Sequence, residues 1–233
     1  MTIGLESSDV IRMFPTVVWK FQLHEEVAAA INKTIRDRLE EMRASAPERL
    51  PGASWQSGYS LHRLDEFSDL VECIQATTQE VLSFLKIGSQ AFEITGCWAN
   101  VHGRGASHGV HSHPNNFLSG VYYVQTQEGA DTINFHDPRV QTAIIRPPVT
   151  QLIADNTDQV VVRVRNGTLL LFPAWLPHSV DPNRSDPERT SISFNIMFSA
   201  YSATMSPPLW GAGIPSLAAP RPSPFNETTI RNR

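Results

Sequence analysis

Cysteine is nearly missing from this chain: Cys73 and Cys97 are the only two in 233 residues. They have neither the spacing of a zinc knuckle nor the density of a secreted disulfide scaffold, which leaves two free thiols in apolar surroundings, the default of a reducing cytoplasm. Runs of basic residues are missing too. Lys and Arg number 19 against 23 Asp and Glu, a formal net charge of −4, which argues against nucleic acid or an anionic membrane surface as the main partner and for a small-molecule substrate. No segment approaches the apolar length that spans a bilayer, and no apolar run follows a basic start. The expected location is therefore cytoplasmic. Strands and helices do not alternate in a βαβ rhythm, which excludes a doubly wound parallel sheet. Nothing in the sequence speaks to oligomeric state.

What is present divides at about residue 89. Phe14 to Phe21 reads as an opening strand, dense in aromatic and β-branched residues. From about His24 to Ala46, Val27, Ile31, Ile35, Leu39 and Met42 recur at helical spacing, and a second amphipathic helix runs from about Glu66 to Lys86 through Phe67, Leu70, Ile74, Val81, Leu82 and Leu85. These helices predict a buttress outside a sheet. Beyond Ser89 the apolar period becomes two, with candidate strands at Phe92–Asn100, Leu118–Gln125, Thr132–Phe135, Val160–Arg165, Thr168–Phe172 and Ser191–Phe198. Asn166-Gly167 predicts a tight hairpin, and Glu128-Gly129 a second. The spacing predicts a mainly β fold, a jelly-roll or double-stranded β-helix of the cupin-like kind, flanked by N-terminal α-helices. The chain reads as one domain, with a helical buttress over 14–88, a β core over 89–200 and an extended Pro-rich tail over 206–233. The irregular 47–64 segment and that tail are the expected lids.

Of eight histidines, five fall between His102 and His136. His111 and His113 are one residue apart, so on a strand both side chains address one side, and His178 arrives from a distant segment. Neutral imidazoles bind ferrous iron, zinc or copper. Around them stand Leu118-Ser119-Gly120-Val121-Tyr122-Tyr123-Val124, Gly167-Thr168-Leu169-Leu170-Leu171-Phe172-Pro173 and Arg189-Thr190-Ser191.

In this order, Trp98-Ala99-Asn100, His111-Ser112-His113-Pro114, Ser119 to Tyr123, Asp137-Pro138-Arg139 and Phe172 to His178 resemble the 2-oxoglutarate- and iron(II)-dependent oxygenase superfamily. More narrowly, they resemble a small bacterial and phage group with His-x-His-Pro and Phe-Pro-x-Trp-x-x-His elements. The resemblance covers residues 90–200. It implies Fe(II) as the metal, 2-oxoglutarate as co-substrate, O₂ as oxidant, and hydroxylation of an unactivated C–H bond with release of succinate and carbon dioxide. His178 matches the late metal ligand. Arg189, beyond it, would pair with the distal carboxylate of 2-oxoglutarate, with Ser191 adding a hydroxyl and either Tyr123 or Tyr122 a phenol, only one of them facing inward. Asn100, Trp98, Asn116, Arg139 and Trp175 are candidate pocket walls.

The early ligand motif departs from the superfamily, where an acid stands two residues after the first histidine. Counted from His111, that place holds His113; counted from His113, it holds Asn115. A third option takes the acid from Asp137. The set His111, His113 and His178 is favoured, an amide or vacant position remains open, and a vacancy would admit halide and halogenation. Two other classes compete: a cupin-like metal-binding or sensing module without turnover, and a three-histidine metal enzyme that does not use 2-oxoglutarate.

Overall fold

Apolar stripes decide where the two long helices lie. In the computed structural model, which describes residues 4, 6–45, 54–88, 90–139, 145 and 147–204, α1 spans Glu25–Ala44 and α2 spans Ser68–Phe84. Ile31, Ile35 and Leu39 of α1 and Leu70, Ile74, Val81 and Leu82 of α2 are buried. Glu25 and Glu26 in the first turn of α1 and Arg43 in its last complement the helix dipole. Val27 is 46% exposed and Leu85, just past α2, is 38% exposed, so both lie off the buried stripe predicted for them.

The strands form two antiparallel sheets. The larger one contains β1 (Trp19–Gln22), β2 (Ser54–Gln56), β3 (Phe92–His102), β5 (Leu118–Gln125), β8 (Thr168–Pro173) and β10 (Arg189–Phe198), in the order β1-β8-β5-β10-β3-β2. The smaller one contains β4 (His108–His111), β6 (Thr132–His136), β7 (Gln159–Arg163) and β9 (His178–Val180), in the order β4-β9-β6-β7. This is the jelly-roll that the pattern of short strands predicts. Both helices cover the outer face of the larger sheet, and the smaller sheet faces its inner side. The central strands are therefore buried on both faces and read as nearly unbroken apolar runs.

Two cores result. One packs Ile35, Leu39, Phe67 and Ile74 of the helical layer against Ala99, Leu118, Leu171 and Phe194 of the sheet. The other fills the space between sheets with Val121, Tyr123, Ile133, Phe135, Leu170 and Phe172. Gly120 lies against the Phe194 ring of the first core. A Cβ there would lie 2.7 Å from the Leu170 carbonyl oxygen and would run into the Phe194 ring.

Several expectations need correction. The opening strand begins at Trp19 rather than Phe14, which is 90% exposed with φ 54°. Three short strands, β2, β4 and β9, were not among the candidates, having only three or four residues and no clear alternation. Part of the expected 47–64 lid, Ser54–Gln56, is an edge strand paired with β3, and residues 46–53 and the tail from 205 lie outside the described residues. Asn166-Gly167 does turn the chain, with Gly167 at φ 79° and the Thr168 N–H donating to the Arg165 carbonyl at 2.9 Å. It does not close a hairpin, because β7 pairs with β6 and β8 pairs with β5 and β1. Gly129, at φ 85°, likewise lies between β5 of one sheet and β6 of the other. Both glycine turns are corners that carry the chain between layers.

Candidate metal centre

Two strands of the smaller sheet and one loop bring the histidines together. His111 ends β4 and stands opposite His178, the first residue of β9. Antiparallel partners share a face, so both imidazoles project between the sheets. His113 is not on the strand as its spacing suggested. It lies past the end of β4, ahead of Pro114 and of Asn115 with φ 63°, and its N–H donates to the Ala174 carbonyl at 2.8 Å. Asn116 braces this loop: its Nδ2 donates to the Pro114 carbonyl at 3.0 Å and its Oδ1 accepts from the Thr95 hydroxyl at 2.6 Å.

One ligand-capable atom from each of His111, His113 and His178 lies within 4.8 Å of the others. The Nδ1 of His111 is 2.8 Å from the Gly109 carbonyl and that of His178 is 2.9 Å from the Leu176 carbonyl. Each Nδ1 therefore carries the proton, and each Nε2 presents its lone pair. The Nε2 atoms of His113 and His178 are 3.3 Å apart. Two nitrogens at about 2.1 Å from one ion and at right angles would be about 3 Å apart, so the spacing fits a shared metal.

Electrostatics agree with that fit. Burial pushes the His113 imidazole down to about 3, and the neighbouring histidines add to the effect. Burial takes His178 down to about 4 against the opposing pull of the Leu176 carbonyl. Neutral rings at ordinary pH are what a metal ligand requires. The Phe172 ring, 4.7 Å from that of His178, and Trp98, 5.8 Å from His113, wall the cluster with aromatic surface.

No acid joins it among the described residues. Asp137 accepts from the Nε of Arg139 at 2.9 Å and from its Nη2 at 2.7 Å, the turn pairing of an Asp-Pro-Arg sequence. Asn115 stands exposed on the loop. Trp175 is 55% exposed.

The second part of the site lies on the larger sheet. Arg189 opens β10, only 3% exposed, with Ser191 one step further along the same face. The two acids beside it in sequence are occupied elsewhere: Glu188 pairs with Arg43 at 2.7 and 2.8 Å, and Asp186 pairs with Arg104. The Arg189 guanidinium lies 5.2 Å from the Tyr123 ring centre, its Nη1 donates to the Thr132 carbonyl at 3.3 Å, and its Nε has no partner among the described residues. The Tyr123 hydroxyl is also buried with no well-formed hydrogen bond among the described residues, and burial raises its phenol to about 12 while the charge of Arg189 and a loose contact with its guanidinium pull the other way. A buried guanidinium lacking an anion is strongly unfavourable unless something supplies one, and a ligand carboxylate fits it in charge and shape.

Register assigns the remaining candidates. Ser191 stands opposite both Tyr123 and Asn100, so all three face inward. The Asn100 amide donates to the Ser193 hydroxyl at 3.0 Å. Tyr122 is a correction: it points into the helix-covered core, where its hydroxyl donates to Asn32 of α1 at 2.8 Å. His102 was missed. It stands opposite Arg189, 2% exposed, and lies two positions beyond Asn100 on the same face of β3.

Residues 96–195 match the family described as "Putative 2OG-Fe(II) oxygenase". Among solved structures, a Pseudomonas putida prolyl-4-hydroxylase aligns with 78% of this chain and 93% of its own, at 15% identity and TM-score 0.55. HygX from Streptomyces hygroscopicus, solved with nickel and 2-oxoglutarate bound, aligns with 79% of this chain and 83% of its own, at 12% identity and TM-score 0.55. The α-ketoglutarate-dependent carbocyclase SnoK from nogalamycin biosynthesis aligns with 78% and 80%, at 14% identity and TM-score 0.56. Among curated proteins no significant relative matches. The segment from β3 to β10 thus matches the model of a 2-oxoglutarate/Fe(II) oxygenase family, and the jelly-roll around it is the fold of these solved structures, HygX among them with 2-oxoglutarate bound.

Proposed function

We propose that this protein is a ferrous-iron- and 2-oxoglutarate-dependent dioxygenase that hydroxylates an unactivated C–H bond of a small molecule and releases succinate and carbon dioxide. The observation that carries the reading is one barrel holding both the imidazole cluster and a buried guanidinium with an unpartnered Nε. A metal-binding module without turnover has no use for that guanidinium, nor has a three-histidine enzyme that works without a keto-diacid.

His111, His113 and His178 would hold the iron, which when bound couples O₂ activation to oxidative decarboxylation of the co-substrate. Three neutral ligands leave the metal charge uncompensated, which favours an anionic chelator. Arg189 would grip the distal carboxylate through its planar fork, with the Ser191 and Tyr123 hydroxyls as further donors and Asn100 as a wall. The carbonyls of Gly109 and Leu176 fix the ring orientations of His111 and His178, so neither of these imidazoles has to reorient for binding. Phe172, Phe135 and Leu170 keep water from the inner side of the cluster. Similar structures include HygX with hygromycin B bound and a Trichoplax adhaerens prolyl hydroxylase with a peptide fragment. With a net charge of −4 and no basic tract, a small molecule is the reading favoured here.

Anaerobic addition of ferrous iron and 2-oxoglutarate tests the proposal. A weak visible charge-transfer band is expected in the wild type, and Arg189→Ala should abolish it at the same ligand concentration. A folded wild type without the band would leave only a metal-binding module.

A further inference from the structure

Neither the iron ligands nor Arg189 accounts for His102. It ends β3 directly opposite Arg189, so imidazole and guanidinium enter the same space between the sheets. The ring is almost wholly buried, and its Nε2 has no hydrogen-bond partner among the described residues. The Arg189 Nε and the Tyr123 hydroxyl, which lie against each other, likewise have no well-formed hydrogen bond among the described residues. Each buried polar group left unsatisfied costs about 1–3 kcal/mol, so three unpartnered groups on adjoining strands point to a missing acceptor rather than to packing.

The imidazoles also trace a line. The His108 ring stands edge-on to His102 at 4.5 Å and to His111 at 5.8 Å. One end of that row is the metal cluster and the other is Arg189, the two points that a metal-chelating keto-diacid has to reach. A carboxylate offers about four lone-pair positions, enough for the Arg189 Nε–H, the Tyr123 O–H and a His102 Nε2–H at once. A keto acid with a methyl group in that position would leave all three donors without an acceptor.

We propose that His102 is a third donor to the distal carboxylate of 2-oxoglutarate, a positioning residue that makes the pocket selective for a keto-diacid over the corresponding monoacid. This rests on the co-substrate reading above.

The test is calorimetric titration of the anaerobic ferrous-iron-loaded protein with 2-oxoglutarate and with 2-oxopentanoate, the same five-carbon keto acid lacking the distal carboxylate. Thermal unfolding of the ligand-free proteins runs alongside. His102→Phe keeps a ring against His108 and removes the nitrogen. It should weaken 2-oxoglutarate binding about tenfold, the scale of one hydrogen bond to a charged group, leave 2-oxopentanoate unchanged, and hold or raise the unfolding temperature. His102→Gln, whose Nε2–H reaches the same region, should recover part of the preference for the diacid. Unchanged 2-oxoglutarate affinity in His102→Phe, or equal weakening of both acids with a lower unfolding temperature, overturns the role of His102 and leaves the co-substrate pocket standing. A wild type that does not prefer the diacid, together with an Arg189→Met variant that binds it equally well, overturns both.

Discussion

The two faces of the larger sheet are built from alternate residues of the same strands, yet they are finished differently. Tyr122 and Tyr123 are adjacent and both wholly buried. On the helix side, the Tyr122 hydroxyl is satisfied by Asn32 within an otherwise apolar layer. On the inner side, Tyr123 looks onto Arg189, and both, like His102 opposite Arg189, carry polar atoms without a well-formed hydrogen bond among the described residues. Burial of apolar surface holds the fold from the first face, and the second keeps polar groups poised at a cost in stability. Binding and stability should therefore respond to opposite faces.

The comparison breaks most visibly at the metal cluster. His178→Ala removes the buried member of the three, and iron retained after desalting should fall to background while the circular dichroism spectrum stays that of the wild type. Retention at the wild-type level would remove His178 from the ligand set. On the helix-covered face the largest effect belongs to Gly120→Val. With the Leu170 carbonyl 2.7 Å from the new Cβ position, β5 and Phe194 must separate, and chemical denaturation should show a loss of about 3 kcal/mol.

The tyrosine pair sharpens the contrast. Tyr122→Phe strands the Asn32 oxygen and should lower stability by about 1–3 kcal/mol with no change in 2-oxoglutarate affinity. Tyr123→Phe strands nothing within the protein, so stability should hold or rise while 2-oxoglutarate affinity falls several-fold. Equal effects of the two substitutions on binding would erase the distinction between faces.

A smaller effect comes from pH. Burial holds His102 and His113 down to about 3, whereas an unfolded chain titrates them near 6.5. Between those values the unfolded state binds protons that the folded state refuses. Stability of the metal-free protein is thus fully present above about pH 6.5 and declines as pH falls towards the folded values. Denaturation midpoints measured from pH 7.5 to 5 should show this slope, and His102→Phe should flatten it.

The helices, the central strands and the jelly-roll class were legible because long elements repeat their apolar period often enough to be read. Ile31, Ile35 and Leu39 mark one face of α1 unambiguously. β4 and β9 were not legible, since three or four residues containing His, Gly and Ser show no alternation. Asn166-Gly167 announced a turn, but a turn does not say with which strands its flanks will pair. Histidine spacing pointed to the residues that cluster while misplacing His113 on a strand. Tyr122 against Tyr123 was undecidable from parity alone, because the register shifts between Thr190 and Ser191, where β10 meets β5. For His102 the signal was present, two positions after Asn100, and only its pairing with Arg189 gave it meaning.

His113 and His178 are 65 positions apart in the chain, yet their ring nitrogens nearly touch. Any ion gripped there acts as a clasp on that long excursion, joining the loop after β4 to β9 and limiting the freedom of everything threaded between them. Loading the metal would then be a late act of maturation as well as the arming of a catalyst, and a chain starved of iron should be the one that proteases find first.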